Sequence, residues 1–164
     1  MRVLAFDIST APGIAVLEVK QLKGGPKVRL LHVTSVRTDS SYTDAQRYEY
    51  IAATATKVIY EYGPFDVVCR EHFAGGRNKR ATQTVFGAWA SIDSALATFG
   101  YTIKTDAELT PSAVKKAATG KGSASKAEVE AGVREKLGLA DDFTFKTDDE
   151  SDAVAVGIAY LIKK

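Results

Sequence analysis

The chain opens on a nearly continuous apolar run, Val3-Leu4-Ala5-Phe6, closed by Asp7 and Ile8. Such a run predicts a strand over 3–8 that is buried on both faces of a sheet. Looser alternation predicts strands over 13–20 and 28–37, and Lys23-Gly24-Gly25-Pro26 between them is a strong turn signal. Together these three segments predict an antiparallel meander. The period then lengthens. Tyr48, Ile51, Ala52, Ala55, Val58 and Ile59 recur at helical spacing within 43–62, and Gly63-Pro64 stops the helix. Phe65 to Glu71 reads as a strand, 79–99 as a second long helix ended by Gly100, and 101–105 as a short strand. Thr110 as cap and Pro111 at the first helical position start a third helix, which Gly120-Lys121-Gly122-Ser123 breaks. Ser125 with Glu128 forms a capping box for a helix reaching Leu137, with Gly138 ending it. Thr147 with Glu150 forms another box, starting a last helix that runs to the C-terminus. This order predicts an α/β protein: a five-stranded mixed sheet flanked by helices, one domain over 1–164.

Against that frame of elements, four acids stand out. Asp7 ends the first apolar strand and Glu71 ends Phe65-Asp66-Val67-Val68-Cys69-Arg70. Asp149 and Asp152, at i and i+3 on the last helix, share one face just before the apolar run Ala153 to Ala159. Acids favour the positive end of a helix for electrostatic reasons alone, which accounts for Asp148, Asp149 and Glu150 taken by themselves. Asp152 lies deeper in the helix, where its face meets the sheet. A carboxylate buried at the end of a core element is costly unless something neutralises it. Several of them on separate core elements point to hard divalent cations, which take oxygen ligands. Sites in such folds form at the carboxyl ends of parallel strands, where Asp7 and Glu71 would project together.

Composition adds modest bounds. The 164 residues are 45% hydrophobic and 26% charged, as in an ordinary globular protein with a real core. The net charge of +2 does not by itself argue for nucleic acid, but its distribution is informative. Arg70, Arg77, Lys79 and Arg80 cluster after the fourth strand, and Lys115, Lys116, Lys121 and Lys126 form a second cluster. Acids gather at Asp141-Asp142 and Asp148-Asp149-Glu150. An acidic centre with basic flanks suits a phosphate polymer held beside metal ions. The single cysteine, Cys69, forms no internal disulfide and reads as a small core side chain in a reducing compartment. No signal peptide is expected, nor a membrane span, since no apolar stretch approaches ~20 residues. The expected location is cytoplasmic.

Weaker motifs are set aside on physical grounds. Asp7-Ile8-Ser9-Thr10 is similar to the phosphate hairpin of sugar kinases and actin-like ATPases, but those need two large lobes. Gly120-Lys121-Gly122-Ser123 lacks the spacing of a phosphate loop and has no preceding strand. Two histidines, His32 and His72, are too few for a zinc site, and strand alternation points His72 away from Glu71.

These residues resemble the RuvC family of Holliday junction resolvases, nucleases of the ribonuclease H-like fold. The strongest likeness is Val114-Lys115 followed by Gly120-Lys121-Gly122-Ser123-Ala124-Ser125-Lys126-Ala127-Glu128-Val129. Next comes Asp149-Glu150-Ser151-Asp152-Ala153-Val154-Ala155. The resemblance implies a ribonuclease H-like fold with Asp7, Glu71, Asp149 and Asp152 as metal-binding catalytic acids. Lys126 and Lys115 would lie near the scissile region and the DNA backbone. It also implies a homodimer whose two sites nick opposed strands of a four-way DNA junction; branch-migration helper proteins are not inferable. The chain departs from the family pattern at Asp7-Ile8-Ser9, where Asp-Pro-Gly is common. It departs again at Ala74, where an aromatic residue is usual, and in the basic loop Gly75 to Arg80.

Pattern and resemblance converge on metal-assisted phosphodiester hydrolysis. Four carboxylates would hold two Mg²⁺ ions about 3.5–4 Å apart, with Mn²⁺ able to substitute. Asp7 is expected to be the ligand shared by both ions, with Glu71 and Asp152 each favouring one. Asp149 is the fourth, with Asp148 and Glu150 near enough to replace it. Lys115, Lys121, Lys126, Arg77, Lys79 and Arg80 are expected to bind phosphates. The apolar stripe Val85, Phe86, Trp89 and Ile92, with Gly87 and Ala88 allowing close approach, suits a core and a dimer interface alike. Two other functions compete: a ribonuclease H-like nuclease acting on RNA–DNA hybrid or structured RNA, and a non-catalytic nucleotide-binding domain using Asp7-Ile8-Ser9-Thr10.

Overall fold

A computed structural model describes residues 1–163. Its central sheet has the order β3-β2-β1-β4-β5. Strand β1 (Arg2–Asp7) pairs antiparallel with β2 (Gly13–Leu22), which pairs antiparallel with β3 (Gly25–Ser35). The meander is therefore as expected, with Lys23-Gly24 as its tight turn. Pro26 lies on β3, at the sheet edge, where a missing N–H costs little. Strand β4 (Val67–Glu71) runs parallel to β1 on its other side, after helix α1 (Asp44–Tyr62).

The predicted strand over 101–105 is absent. Helix α2 (Lys79–Thr98) closes through Gly100 in the left-handed region (φ 77°), and the Tyr101 N–H donates to the Leu96 carbonyl. The backbone there is spent on finishing the helix. A 3₁₀ turn, Thr105–Ala107, follows, and the fifth strand is the two-residue β5 (Glu108–Leu109), parallel to β4. Helices α3 (Pro111–Thr119), α4 (Lys126–Leu137) and α5 (Asp148–Lys163) complete the fold. Thr110 caps α3, and the Ser125–Glu128 box caps α4 as its sequence predicts. Among the described residues no helix is long and apolar enough to cross a membrane.

The alternation of β1 sorts the core into two layers. Leu4, Phe6, Ile14, Val16 and Val68 pack against α1 and α2, through Ile51, Ile59, Ile92 and Leu96. Val3, Ala5, Ala15, Leu17 and Cys69 pack against α5 and its neighbours α3 and α4. Asp7 and Glu71 continue the second set, so both belong to the sheet face that α5 covers. Gly157 makes that close cover possible: a Cβ there would lie 2.3 Å from Leu17 Cδ1.

Candidate metal centre

The β1–β4 register pairs Val3 with Val67 and Phe6 with Arg70. One further step along two parallel strands sets Asp7 beside Glu71 at their carboxyl ends. Asp149 and Asp152 reach the same edge from the first turns of α5. All four acids are partly buried. Burial raises the Asp7 carboxyl to about 8, and the charges of Glu71, Asp152 and Asp149 push it the same way against Lys126. Burial likewise raises Glu71 to about 7, with Asp152 adding to the rise while Lys115 and Lys126 oppose it. Asp152 is raised chiefly by burial. Asp7, Glu71 and Asp152 are thus electrostatically linked, and Asp149 adds its charge against Asp7 and Asp152.

Lys126, at the first position of α4, is the nearest cation. Its Nζ lies 3.4 Å from Asp152 Oδ2 and 3.8 Å from Asp148 Oδ2. Burial disfavours its charge, but the surrounding acids outweigh this and raise its pKa. One ammonium does not neutralise four carboxylates. Among the described residues no three His, Cys, Asp or Glu side chains are already drawn close enough to hold an ion. The donor set nonetheless fits a hard divalent cation: oxygen-only, under-neutralised and open at a sheet edge.

The neighbours of Asp149 separate it from the alternatives. Glu150 is buried and its carboxylate accepts the Lys146 N–H at 2.7 Å, so it caps the helix and is spent there. The expected capping box is therefore half-formed: Thr147 Oγ1 accepts the Glu150 N–H, while Glu150 reaches one residue further back. Asp148 is exposed and faces Lys126. Asp149 Oδ1 instead accepts a hydrogen bond from Ser9 Oγ at 3.4 Å. Ser9, read as a possible phosphate ligand, instead bonds one of the four acids. The chain comes this close because position 13 is glycine, a requirement that hydropathy patterns do not register.

The basic residues divide. Arg77 is exposed on the loop before α2, Lys79 is exposed at the first position of that helix, and Lys115 acts on Glu71 electrostatically. Lys121 pairs with Glu128 at 3.6 Å on the surface. Arg80 is exposed but bonded to Asp44 at 2.6 Å, tying α2 to α1. Arg70 does not belong to the basic surface cluster: it is 8% exposed and bonded to Asp93 and Glu108. His72 turns from Glu71 as alternation predicts, its Nδ1 lying 3.3 Å from Glu108 Oε2. Cys69 is fully buried and its thiol is held protonated by that burial. Within the α2 stripe, Val85 and Ile92 are core, whereas Phe86 is 43% exposed. Gly87 is filled from within the chain, since a Cβ there would lie 2.1 Å from Tyr48 Cζ. A hollow of about 600 Å³ between α3 and α4 is lined by none of the four acids.

A mixed 3-2-1-4-5 sheet, with acids at the ends of β1 and β4 and on the helix that crosses them, defines the ribonuclease H-like class. Residues 8–160 match the family model described as crossover junction endodeoxyribonuclease RuvC. The chain is 34% identical over 159 residues to the RuvC of Heliobacterium modesticaldum, covering 96% of this chain and 92% of that one. It is 29% identical over 164 residues to the RuvC of Caldicellulosiruptor saccharolyticus, covering 99% and 93%. Among solved structures, Thermus thermophilus RuvC superposes with a TM-score of 0.80 at 28% identity, covering 99% of this chain and 96% of that one. The same protein in complex with Holliday junction substrate gives 0.81, also at 28% identity, covering 97% and 92%. The chain belongs to the RuvC family of crossover junction endodeoxyribonucleases.

Proposed function

We propose that Asp7, Glu71, Asp149 and Asp152 hold two Mg²⁺ ions, with Mn²⁺ able to substitute, and that the chain hydrolyses phosphodiester bonds of four-way DNA junctions as a homodimer. The observation that carries this reading is the shared electrostatic penalty at Asp7, raised by burial and by three other acids from two other elements, β4 and α5. Bound ions supply the positive charge that the acids lack, an activated water and stabilisation of the leaving 3′ oxygen. Asp7, flanked by Glu71 on the neighbouring strand and by α5 above, would be the central ligand. Glu71 and Asp152 would hold the ions beside it, with Asp149, bonded to Ser9, as the fourth ligand.

Lys126 shields Asp152 until substrate arrives, then turns its ammonium to the scissile phosphate. Lys115, Lys121, Arg77, Lys79 and Arg80 hold the flanking backbone by charge, independently of sequence. A junction presents equivalent strands, which a two-fold dimer matches. The exposed Phe86, its ring centroid 5.5 Å from that of Phe73 and 5.9 Å from that of Trp89, offers an apolar surface for that contact. The protein acts in the cytoplasm, where chromosomal or phage DNA is handled.

Action on RNA–DNA hybrid would use the same acids, so substrate shape alone separates the two readings. The test is nicking of end-labelled four-way junction, Y-fork, linear duplex and hybrid in Mg²⁺. Symmetric paired nicks in the junction with the duplex spared are expected. Preferential cutting of the hybrid would overturn the substrate.

A further inference from the structure

Arg70 directly precedes Glu71 and points to the opposite face of the sheet, among Val68, Leu96 and the α2 side chains. An apolar residue would fill that position without desolvating a charge. Instead every arm of the guanidinium is engaged. Nε donates to Glu108 Oε1 at 2.9 Å, Nη2 donates to the same oxygen, and Nη1 donates to Asp93 Oδ1 at 2.9 Å. Its Cζ lies 3.7 Å from the centroid of the Trp89 ring. That indole keeps its Nε1 buried without a hydrogen-bond partner, so the ring serves as a platform for Arg70 at the cost of its own N–H.

The second oxygen of Glu108 faces His72, on the other side of Glu71 in sequence. One carboxylate thus grips both neighbours of a metal-binding acid. It does so where the ladder is shortest. β5 has two residues, Arg70 is the register partner of Glu108, and the His72 N–H to Leu109 carbonyl bond of 2.7 Å ends the pairing. The β1 ladder ends at the Phe6–Arg70 pair, so at Glu71 the register of β4 continues only with this two-residue strand. Glu108 also leads through Thr110 into α3, which carries Lys115, the cation that acts on Glu71.

We propose that the Arg70–Glu108 pair, stacked on Trp89 and tied to Asp93, is the positioning device that holds Glu71 at metal-binding geometry from behind the sheet. Arg70 touches neither metal nor DNA and acts through the end of β4. This inference rests on the metal reading above and adds a residue to it that lies outside the site.

The experiment measures Mn²⁺ binding to the DNA-free protein by titration calorimetry for the parent, Arg70→Met, Arg70→Lys and Glu108→Gln. Junction binding in chelator and thermal unfolding are measured alongside. Groups that orient a metal ligand typically contribute 10–100-fold in affinity. Arg70→Met is therefore expected to weaken Mn²⁺ binding about 10-fold or more, with Arg70→Lys recovering part of the loss and junction binding unchanged. Glu108→Gln keeps the shape and weakens the grip, so it gives a smaller loss in the same direction and serves if Arg70→Met does not fold. A folded Arg70→Met or Glu108→Gln that binds Mn²⁺ within twofold of the parent, whatever its melting temperature, overturns the positioning role alone. A parent that binds no Mn²⁺ overturns the metal reading and this inference with it.

Discussion

A Cβ placed on Gly13 would lie 1.8 Å from the carbonyl oxygen of Asp149. The start of β2 and the start of α5 are therefore in backbone contact, 136 positions apart in sequence. That contact sets the reach of Asp149 and Asp152 toward Asp7, because Gly13 is also the register partner of Asp7.

It follows that Gly13→Ala displaces the first turn of α5. Overpacking of this kind costs about 1–3 kcal/mol. Junction cleavage should fall by more than the loss of stability explains, because the displaced turn carries Asp149 and leads directly into Asp152. Cleavage rates measured well below the melting temperature, beside a denaturation curve, check this. A variant with lowered stability and an unchanged rate would separate α5 placement from catalysis.

Asp152→Asn should abolish cleavage while leaving the melting temperature of the metal-free protein equal to or above the parent's. It removes one member of a repelling set in which burial already disfavours charge. Its loss also frees Lys126 from its 3.4 Å contact, which limits the gain. A nicking assay and a thermal melt in chelator test both halves; nicking near the parent rate would remove Asp152 from the site.

Stability of the metal-free protein should fall as pH rises from about 4 to about 8. Asp7 is raised from 3.8 to about 8 and Glu71 from 4.5 to about 7, so the folded state binds these protons more tightly than the unfolded state does. Between the unfolded and folded values the folded state holds the extra protons, and stability declines with pH. Metal competes for the same oxygens, so its apparent affinity should rise over the same window. Melting temperatures in chelator at pH 5 and pH 8, for the parent and Asp7→Asn, measure this. The decline should be smaller in the variant.

The lysine surface gives a salt signature. Lys121 is exposed and loosely paired with Glu128 at 3.6 Å. Lys121→Ala should weaken junction binding without regard to sequence and reduce the magnitude of the log K against log salt slope by about 1. Binding titrations at several salt concentrations, in chelator, read the slope.

The sequence was most legible where one physical cause acts alone. Apolar runs ending in Asp7 and Glu71 marked two core strands and placed an acid at the carboxyl end of each. The Ser125–Glu128 box and Thr110-Pro111 marked helix starts correctly to the residue. Legibility failed where distant groups decide. Tyr101 to Thr105 has strand composition, but its first N–H is taken by Leu96, and pairing passes to Glu108–Leu109. Arg70 reads as one of a basic cluster until strand parity turns it inward to Asp93 and Glu108. Glu150 reads as an alternative ligand until its carboxylate is found on Lys146. Gly13 carries no pattern signal, since its importance lies in a helix packed across it.

The central claim is that four carboxylates from β1, β4 and α5 form one metal centre, and anomalous diffraction from crystals grown with Mn²⁺ tests it most directly. Two peaks are predicted among Asp7, Glu71, Asp149 and Asp152, with Asp7 touching both and Lys126 displaced from Asp152. Peaks elsewhere on the chain, or none among these four residues in crystals soaked to saturation, would contradict it.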